Sequence, residues 1–291
     1  RESSEMKLVT WNTQWCCGLG GAVQPQRIVE GARALADFDV LCLQEIAQGF
    51  DGLAGAPGDQ PAQLQALLPG FKLFFGAAVD EFDLRGQRQR FGNVIATRLP
   101  VAQVQHHALP WPADPSQPSM PRMCTSITVI SHELGPVRIM TTHLEFYSAA
   151  QRMAQARALL ALHAQACGQA LAPPQAEERG SPFQPKLHTA QAILCGDFNM
   201  PPTDAAYAAL LEAFEPVPGA SLQRLRDAWR VAHGEAPHPP TFRLFDQRFG
   251  PDPVACDFVF LSDGLAPRLR RIDVDTATQA SDHQPVMVEL A

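Results

Sequence analysis

Lysine is scarce in this chain. Of 23 basic residues only Lys7, Lys72 and Lys186 are lysines, and against 30 acidic residues the formal net charge is −7. No polylysine arm exists, and a general, sequence-blind polyanion binder is excluded, because that role needs a large basic surface. Nucleic acid as a substrate is not excluded. No run approaches the ~18 apolar residues of a membrane-spanning helix. The opening RESSEMKLVTW carries no apolar h-region, so the expected location is the cytoplasm. No CxxC pair occurs, which removes the usual thiolate zinc site, and no HExxH occurs either. A GxGxxG after a strand, a GxxxxGK[ST] and a GxSxG are all missing. Their absence excludes the dinucleotide fold, the P-loop and the serine-hydrolase elbow. No fixed-period repeat is present. Charged residues reach only 18%, while hydrophobic residues make an ordinary 46%, which excludes a disordered chain.

What is present is a mixture of short strands and helices, with 26 prolines marking many loops. Cys42, Cys124, Cys195 and Cys256 sit in or beside apolar strand-like runs, the usual place for reduced, buried thiols. Strands are expected at 6–10, 39–46, 71–75, 93–97, 101–105, 124–131, 137–143, 192–195, 256–261 and 286–290. Residues 93–97 and 101–105 look like a strand pair divided around Pro100, and 80–90 reads as a charged loop. Segments 124–131 and 137–143 form a hairpin with Gly135-Pro136 in the turn. Helices are expected at 25–36, around Leu64, Leu67 and Leu68, at 149–167, 204–214 and 222–231. Residues 111–121 are irregular, and 168–185 is the best candidate for a flexible insertion. Many strands follow one another through turns, so the class is α+β with mostly antiparallel sheet.

The informative feature is a recurrence. Several apolar strands stop at a carboxylate, an amide or an imidazole: Asn12 after VTW, Glu45 after LCLQ, His143 after IMTT, Asp197 and Asn199 after ILCG, and the late pair Asp282-His283. Asp257 sits inside the otherwise apolar CDFVFL. Such a strand tolerates a carboxylate only if it is paired, hydrogen-bonded or bound to metal. Taken singly, each residue has a bland role in a turn or cap. Together they form an inventory of hard oxygen ligands suited to Mg²⁺ or Mn²⁺. Asn and His donors suit a phosphate whose charge grows in the transition state, and His beside Asp supplies an oriented imidazole. These are the parts of metal-assisted phosphoester hydrolysis.

At these residues the chain resembles bacterial members of the endonuclease/exonuclease/phosphatase superfamily, the deoxyribonuclease-I-like fold. The matching segments are LVTWNTQ (8–14), DVLCLQEI (39–46), NVIATRLPV (93–101), TTHLE (141–145), GDFNMPP (196–202), CDFVFLS (256–262) and SDHQPV (281–286). They stand in family order across nearly the whole chain. The resemblance implies a single domain over 1–291, a four-layer α/β/β/α sandwich of two mixed sheets flanked by helices, with the active site where strands end. It implies Glu45 as the main metal ligand, with Asn12 and Asp282 around the same Mg²⁺ or Mn²⁺. Asp197 and Asn199 would face the water and the scissile phosphate. His143 would donate to a phosphate oxygen, and His283, paired with Asp257, would work in proton transfer. Whether Asp197 or His283 takes the water's proton stays open.

The expected activity is therefore a phosphodiesterase or nuclease using in-line water attack. The alternative is a phospholipid or inositol-phosphate phosphodiesterase or phosphatase, and the remote one a non-catalytic binding module. The expected partner is a phosphoester substrate, nucleic acid included, with no stable membrane insertion and a monomeric state. Arginines cluster at Arg85, Arg88 and Arg90, in a segment that reaches phosphate on this reading, and at Arg268, Arg270 and Arg271. Trp111 and Phe146 are candidates for stacking on a base or meeting a lipid.

Overall fold

The computed structural model describes residues 5–177, 180–183 and 186–291. Its first sheet holds β1 (Met6–Asn12), β2 (Val40–Gln48), β3 (Lys72–Phe82), β4 (Arg88–Thr97), β11 (Leu269–Val274) and β12 (Val286–Leu290), in the order β11-β12-β1-β2-β4-β3. The second holds β5 (Val101–Ala108), β6 (Met123–Ser131), β7 (Gly135–His143), β8 (Ala192–Asp197), β9 (Leu225–Asp227) and β10 (Asp257–Ser262), in the order β5-β6-β7-β8-β10-β9. Each sheet has one parallel pair at its centre, β1 with β2 and β7 with β8, and antiparallel neighbours elsewhere. The four-layer α/β/β/α sandwich expected from sequence is the observed architecture.

The central strands β1, β2, β7 and β8 are buried on both faces because both faces are covered. Leu8, Val40, Cys42 and Ile95 of the first sheet pack on Ile127, Ile139, Ile193 and Val259 of the second. On the outside of the first sheet, Val9, Trp11 and Leu41 meet Ile28, Val29 and Ala32 of α1 (Pro25–Leu35) and Leu64 of α2 (Gln60–Leu67). Outside the second, Met140, Leu194 and Phe260 meet Ala156 and Leu159 of α3 (Ala149–Leu171) and Tyr207 of α4 (Ala205–Leu210). Helix starts follow local chemistry. Ser148 caps α3 by accepting from Gln151 N, Asp204 caps α4, and Asp227 caps α5 (Ala228–His233) through Trp229 N. All seven cysteines are buried and free.

Three local expectations are corrected. The charged loop at 80–90 is largely a hairpin: Asp80 stands opposite Arg90 and Phe82 opposite Arg88, with the turn at 83–87. Oppositely charged neighbours make that ladder tolerable, as Arg88 Nε and Nη2 each donate to Asp80 at 2.7 Å. Segments 93–97 and 101–105 do not pair, because β4 and β5 lie in different sheets and the chain crosses over at Pro100. Pro100 cannot donate to a ladder, and its carbonyl instead accepts from Ile130 N at 2.9 Å. The helix expected at 222–231 is a short strand followed by α5, because Asp227 takes the capping position in mid-segment. Of the expected insertion at 168–185, residues 168–171 complete α3, while 178–179 and 184–185 lie outside the described residues.

Candidate active site

The two central parallel pairs explain where the polar strand terminators go. Parallel neighbours end at the same side of a sheet, so β1 and β2 deliver Asn12 and Glu45 together, and β7 and β8 deliver His143 and Asp197. The sheets then meet face to face at that rim. Asn12 Nδ2 donates across the gap to Asp197 Oδ2 at 2.8 Å, and Gln44 Nε2 donates to Thr141 Oγ1 at 2.9 Å. Gly196 lets the end of β8 run close against β7. Its φ is +142°, and a Cβ there would lie 2.0 Å from the Thr142 carbonyl oxygen.

Asp197 is the hub. Besides Asn12, its Oδ1 accepts from Asn199 N at 3.0 Å. Its Oδ2 lies 3.4 Å from His143 Nε2 and 3.5 Å from His283 Nε2. Burial pushes its carboxyl up to about 6, against the pull of the His283 charge. Asn199 has φ +49° and donates its side-chain amide to Leu144 O at 2.7 Å. Its side-chain amide is thus spent on the backbone, which fixes the loop that follows Asp197.

His283 is held from three sides. Its Nδ1 donates to Asp257 Oδ2 at 2.8 Å, and Thr241 Oγ1 donates to the same oxygen at 2.7 Å. Its carbonyl accepts from Trp11 Nε1 at 2.8 Å. The Phe242 ring stacks on the imidazole with centroids 4.4 Å apart and planes 15° apart. Burial alone would lower this imidazole, but Asp257 and Asp197 outweigh it and hold His283 well above its ordinary range. His143 behaves oppositely. Burial, then the Arg122 charge, keeps it well below 6.5 and therefore neutral.

Glu45 occupies a bulge where the β2–β4 register shifts between Leu43 and Ile46, and its φ is +56°. A non-glycine residue in that region costs roughly 1–3 kcal/mol and persists only where its surroundings demand it. The bulge re-aims the carboxylate toward the rim. Burial, then the neighbouring Asp282, pushes Glu45 up to about 7, and burial also raises Asp282. These acids and Asp197 face one raised imidazole and one guanidinium, so negative charge is in excess. Hard oxygens in negative excess fit a divalent cation. Asn12 lies between Glu45 and Asp197 as an amide donor, with its Oδ1 accepting from Gln14 N at 3.1 Å. A second group, Asp197, Cys256, Asp257 and His283, has ligand atoms within 4.8 Å of one another. It is a hydrogen-bonded relay rather than a cage, since burial holds the Cys256 thiol far above its ordinary range and Asp257 already binds the imidazole.

Sequence reasoning missed Arg122, just before β6 in a segment without a legible motif. It is 7% exposed, its Nε lies 3.5 Å from Glu145 Oε2, and its Nε and Nη1 make no hydrogen bond among the described residues. Glu145, Glu45 and Asp197 all act on its charge. Thr241 and Phe242 were also missed. A Thr-Phe pair in a proline-rich loop carries no signal until the loop folds over His283. In the Arg85–Arg90 cluster, Arg88 is bound to Asp80 and Arg85 sits 3.6 Å from Asp83, both arginines remaining exposed. Phe146 packs edge-on against Phe242 and Phe249, beside the rim. Trp111 is half exposed and donates to Ser119 Oγ. No helix among the described residues is long and apolar enough to cross a membrane.

A sandwich that gathers acids and imidazoles from both of its sheets at one rim has the architecture of the deoxyribonuclease-I-like proteins. The sequence profile of the Endonuclease/Exonuclease/phosphatase family matches residues 9–283, and the chain belongs to that family. Members of the family are phosphoester hydrolases and are generally dependent on a divalent metal. In fold the chain is similar to the endonuclease/exonuclease/phosphatase from Beutenbergia cavernae, at 24% identity over 98% of this chain and 71% of that one, with a TM-score of 0.67. It is also similar to the mannosyl-6-phosphatase of Bacteroides thetaiotaomicron, at 18% identity over 98% and 99% of the two chains, TM-score 0.61. D. rerio TDP2 complexed with single strand DNA product matches at 17% identity over 99% and 100%, TM-score 0.61. No match was found among curated proteins.

Proposed function

We propose that the chain is a Mg²⁺- or Mn²⁺-dependent phosphodiesterase that cleaves nucleic-acid phosphoesters by in-line attack of water. The observation that carries this reading is Asp197, fixed by Asn12 Nδ2 and Asn199 N and approached by two imidazoles. A carboxyl raised to about 6 is ionised at neutral pH yet basic enough to accept a proton. Asp197 therefore takes the proton of the attacking water, and His283 serves as the protonated partner. His283 keeps its proton at Nε2, where a phosphate oxygen gaining charge needs a donor. Neutral His143 offers a second donor. Asp257 and Thr241 orient His283. Glu45 and Asp282, with Asn12 beside them, would hold the divalent ion, which supplies neutralisation of phosphate charge when bound.

Beside the rim, Phe146, Phe242 and Phe249 form a ring cluster with Tyr147 against Phe146. Arg243 and Arg248 lie over Phe242 and Phe249. Flat rings with adjoining cations suit single-stranded bases, and the likeness to TDP2 in complex with single strand DNA product agrees. A second reading, phosphomonoester hydrolysis, draws on Arg122, a further buried cation suited to a dianionic phosphate, and on the likeness to a mannosyl-6-phosphatase. The test compares bis-p-nitrophenyl phosphate, p-nitrophenyl phosphate, a single-stranded oligonucleotide and sphingomyelin with Mg²⁺, Mn²⁺ or EDTA. Metal-dependent turnover of the diester and the oligonucleotide is expected. Turnover of the monoester alone establishes the second reading, and cleavage of sphingomyelin without oligonucleotide cleavage overturns the nucleic-acid assignment.

A further inference from the structure

Arg138 lies near the start of β7, on the outer face of the second sheet. It precedes His143 by five residues, about 16 Å at ~3.3 Å per residue, so it stands well away from the catalytic rim. Its side chain is buried, yet no carboxylate among the described residues pairs with it. Nη1 donates to Thr189 O and Nη2 to His163 Nδ1, each at 2.6 Å, and Nε makes no hydrogen bond among the described residues. Burial and the Arg138 charge push His163 down to about 3, so His163 is a neutral acceptor and does not balance the guanidinium charge. A buried, unpaired cation is costly unless an anion reaches it.

Arg138 forms part of the wall of a cavity of about 640 Å³, lined by β5, β6, β7, the second half of α3 and residues 173–176, 182–183 and 186–189. Among the described residues its other basic and imidazole groups are His107, Lys186 and His188, and no described Asp or Glu lines it. That is a marked departure for a chain of net charge −7. The His188 Nε2 atom is buried without a hydrogen bond among the described residues. Gln103 and Gln105 add amides, while Met140 and Leu162 add apolar wall. The volume falls in the ~300–1,000 Å³ range of small-molecule sites, larger than a bare inorganic ion needs.

We propose that this cavity is a second, non-catalytic site for a small organic oxyanion, a carboxylate or a phosphate. Arg138 supplies the fixed charge, His107 and His188 supply imidazole N–H donors, and Lys186 adds a second cation to the wall. The proposal does not depend on the chemistry assigned to the catalytic rim.

Titration calorimetry on the metal-stripped full chain tests it, with citrate, inorganic phosphate and adenosine 5′-monophosphate as probes. At least one organic probe should bind with a Kd below about 1 mM, and inorganic phosphate should bind more weakly. Lys186→Glu, alone and combined with His188→Glu, should weaken binding at least tenfold while phosphoester turnover and the melting temperature stay unchanged. Asp197→Asn should leave this binding unchanged. The proposal is overturned if neither organic probe binds in that range, if the wall variants bind as the parent does, or if Asp197→Asn abolishes the signal.

Discussion

Asp257→Asn is the sharpest probe of the proposed chemistry, because it is nearly isosteric and removes one charge. In the parent, Asp257 Oδ2 accepts from both His283 Nδ1 and Thr241 Oγ1, while Oδ1 makes no hydrogen bond among the described residues. The asparagine will turn its carbonyl oxygen toward the two donors, so the tautomer and orientation of His283 survive. What disappears is the charge assistance, worth roughly 1.5–3 kcal/mol for a hydrogen bond to an ionised group. At about 1.36 kcal/mol per decade, kcat should fall about 10- to 150-fold. The second consequence is a shift in pH dependence. Asp257 is the strongest of the influences that raise His283. A donor with a raised pKa keeps its proton through neutral pH and loses it on the alkaline side. Without the Asp257 charge that loss moves to lower pH. The assay is kcat/KM for bis-p-nitrophenyl phosphate from about pH 5 to 9. If the residues act as one unit, Asp257→Asn combined with His283→Ala should be little worse than His283→Ala alone. An unmoved alkaline limb with less than about a threefold loss of kcat refutes the reasoning.

Four further outcomes are expected. Glu45→Gln should weaken Mn²⁺ binding, read by calorimetry, and cut turnover by more than the ~10–100-fold typical of outer-shell partners; full activity of this variant in EDTA would remove the metal from the mechanism. Arg122→Met should lower kcat about 10-fold or more if its unspent donors serve the phosphate, with Arg122→Lys recovering part of the loss at an unchanged melting temperature. Phe249→Ala should raise KM for an oligonucleotide at least about fivefold, as base stacking is worth ~1–3 kcal/mol, and an unaltered KM would discard the aromatic wall. His163, ordinarily near 6.5 and held at about 3 by burial, stays neutral in the folded state while the unfolded chain takes up the proton. Stability is therefore complete above pH 6.5 and declines as pH falls toward 3, by roughly 2 kcal/mol at about pH 5. His163→Gln should flatten that part of the urea-denaturation profile, and an identical pH slope in the two proteins would count against it.

The amino-acid sequence by itself determined the strand terminators. Asn12, Glu45, His143 and Asp197 each follow an apolar run, and an apolar run that stops at a polar group is visible without any structure. It also determined most strands of the two central pairs, because a strand covered on both faces reads as continuous hydrophobics. The long helix after Ser148 and the reduced cysteines were legible for the same reason. What lay beyond reach depends on contacts between distant segments. Which sheet β5 joins is decided by Pro100 and by pairing to β6, not by the composition of β5. The 80–90 segment becomes a hairpin because Asp80 and Arg88 meet across a ladder, a fact of register that charge content alone does not reveal. Asp227 looks like one more residue in a helical run until Trp229 N finds it as a cap. Arg122 was hidden most completely. A lone arginine among prolines reads as solvent-exposed, and only the meeting of the sheet ends buries its guanidinium between Glu145 and the rim acids. The pairing of Asn12 with Asp197, 185 positions apart, has the same origin. Local preference selects which groups end the strands, but the packing of two sheets decides which groups share a proton.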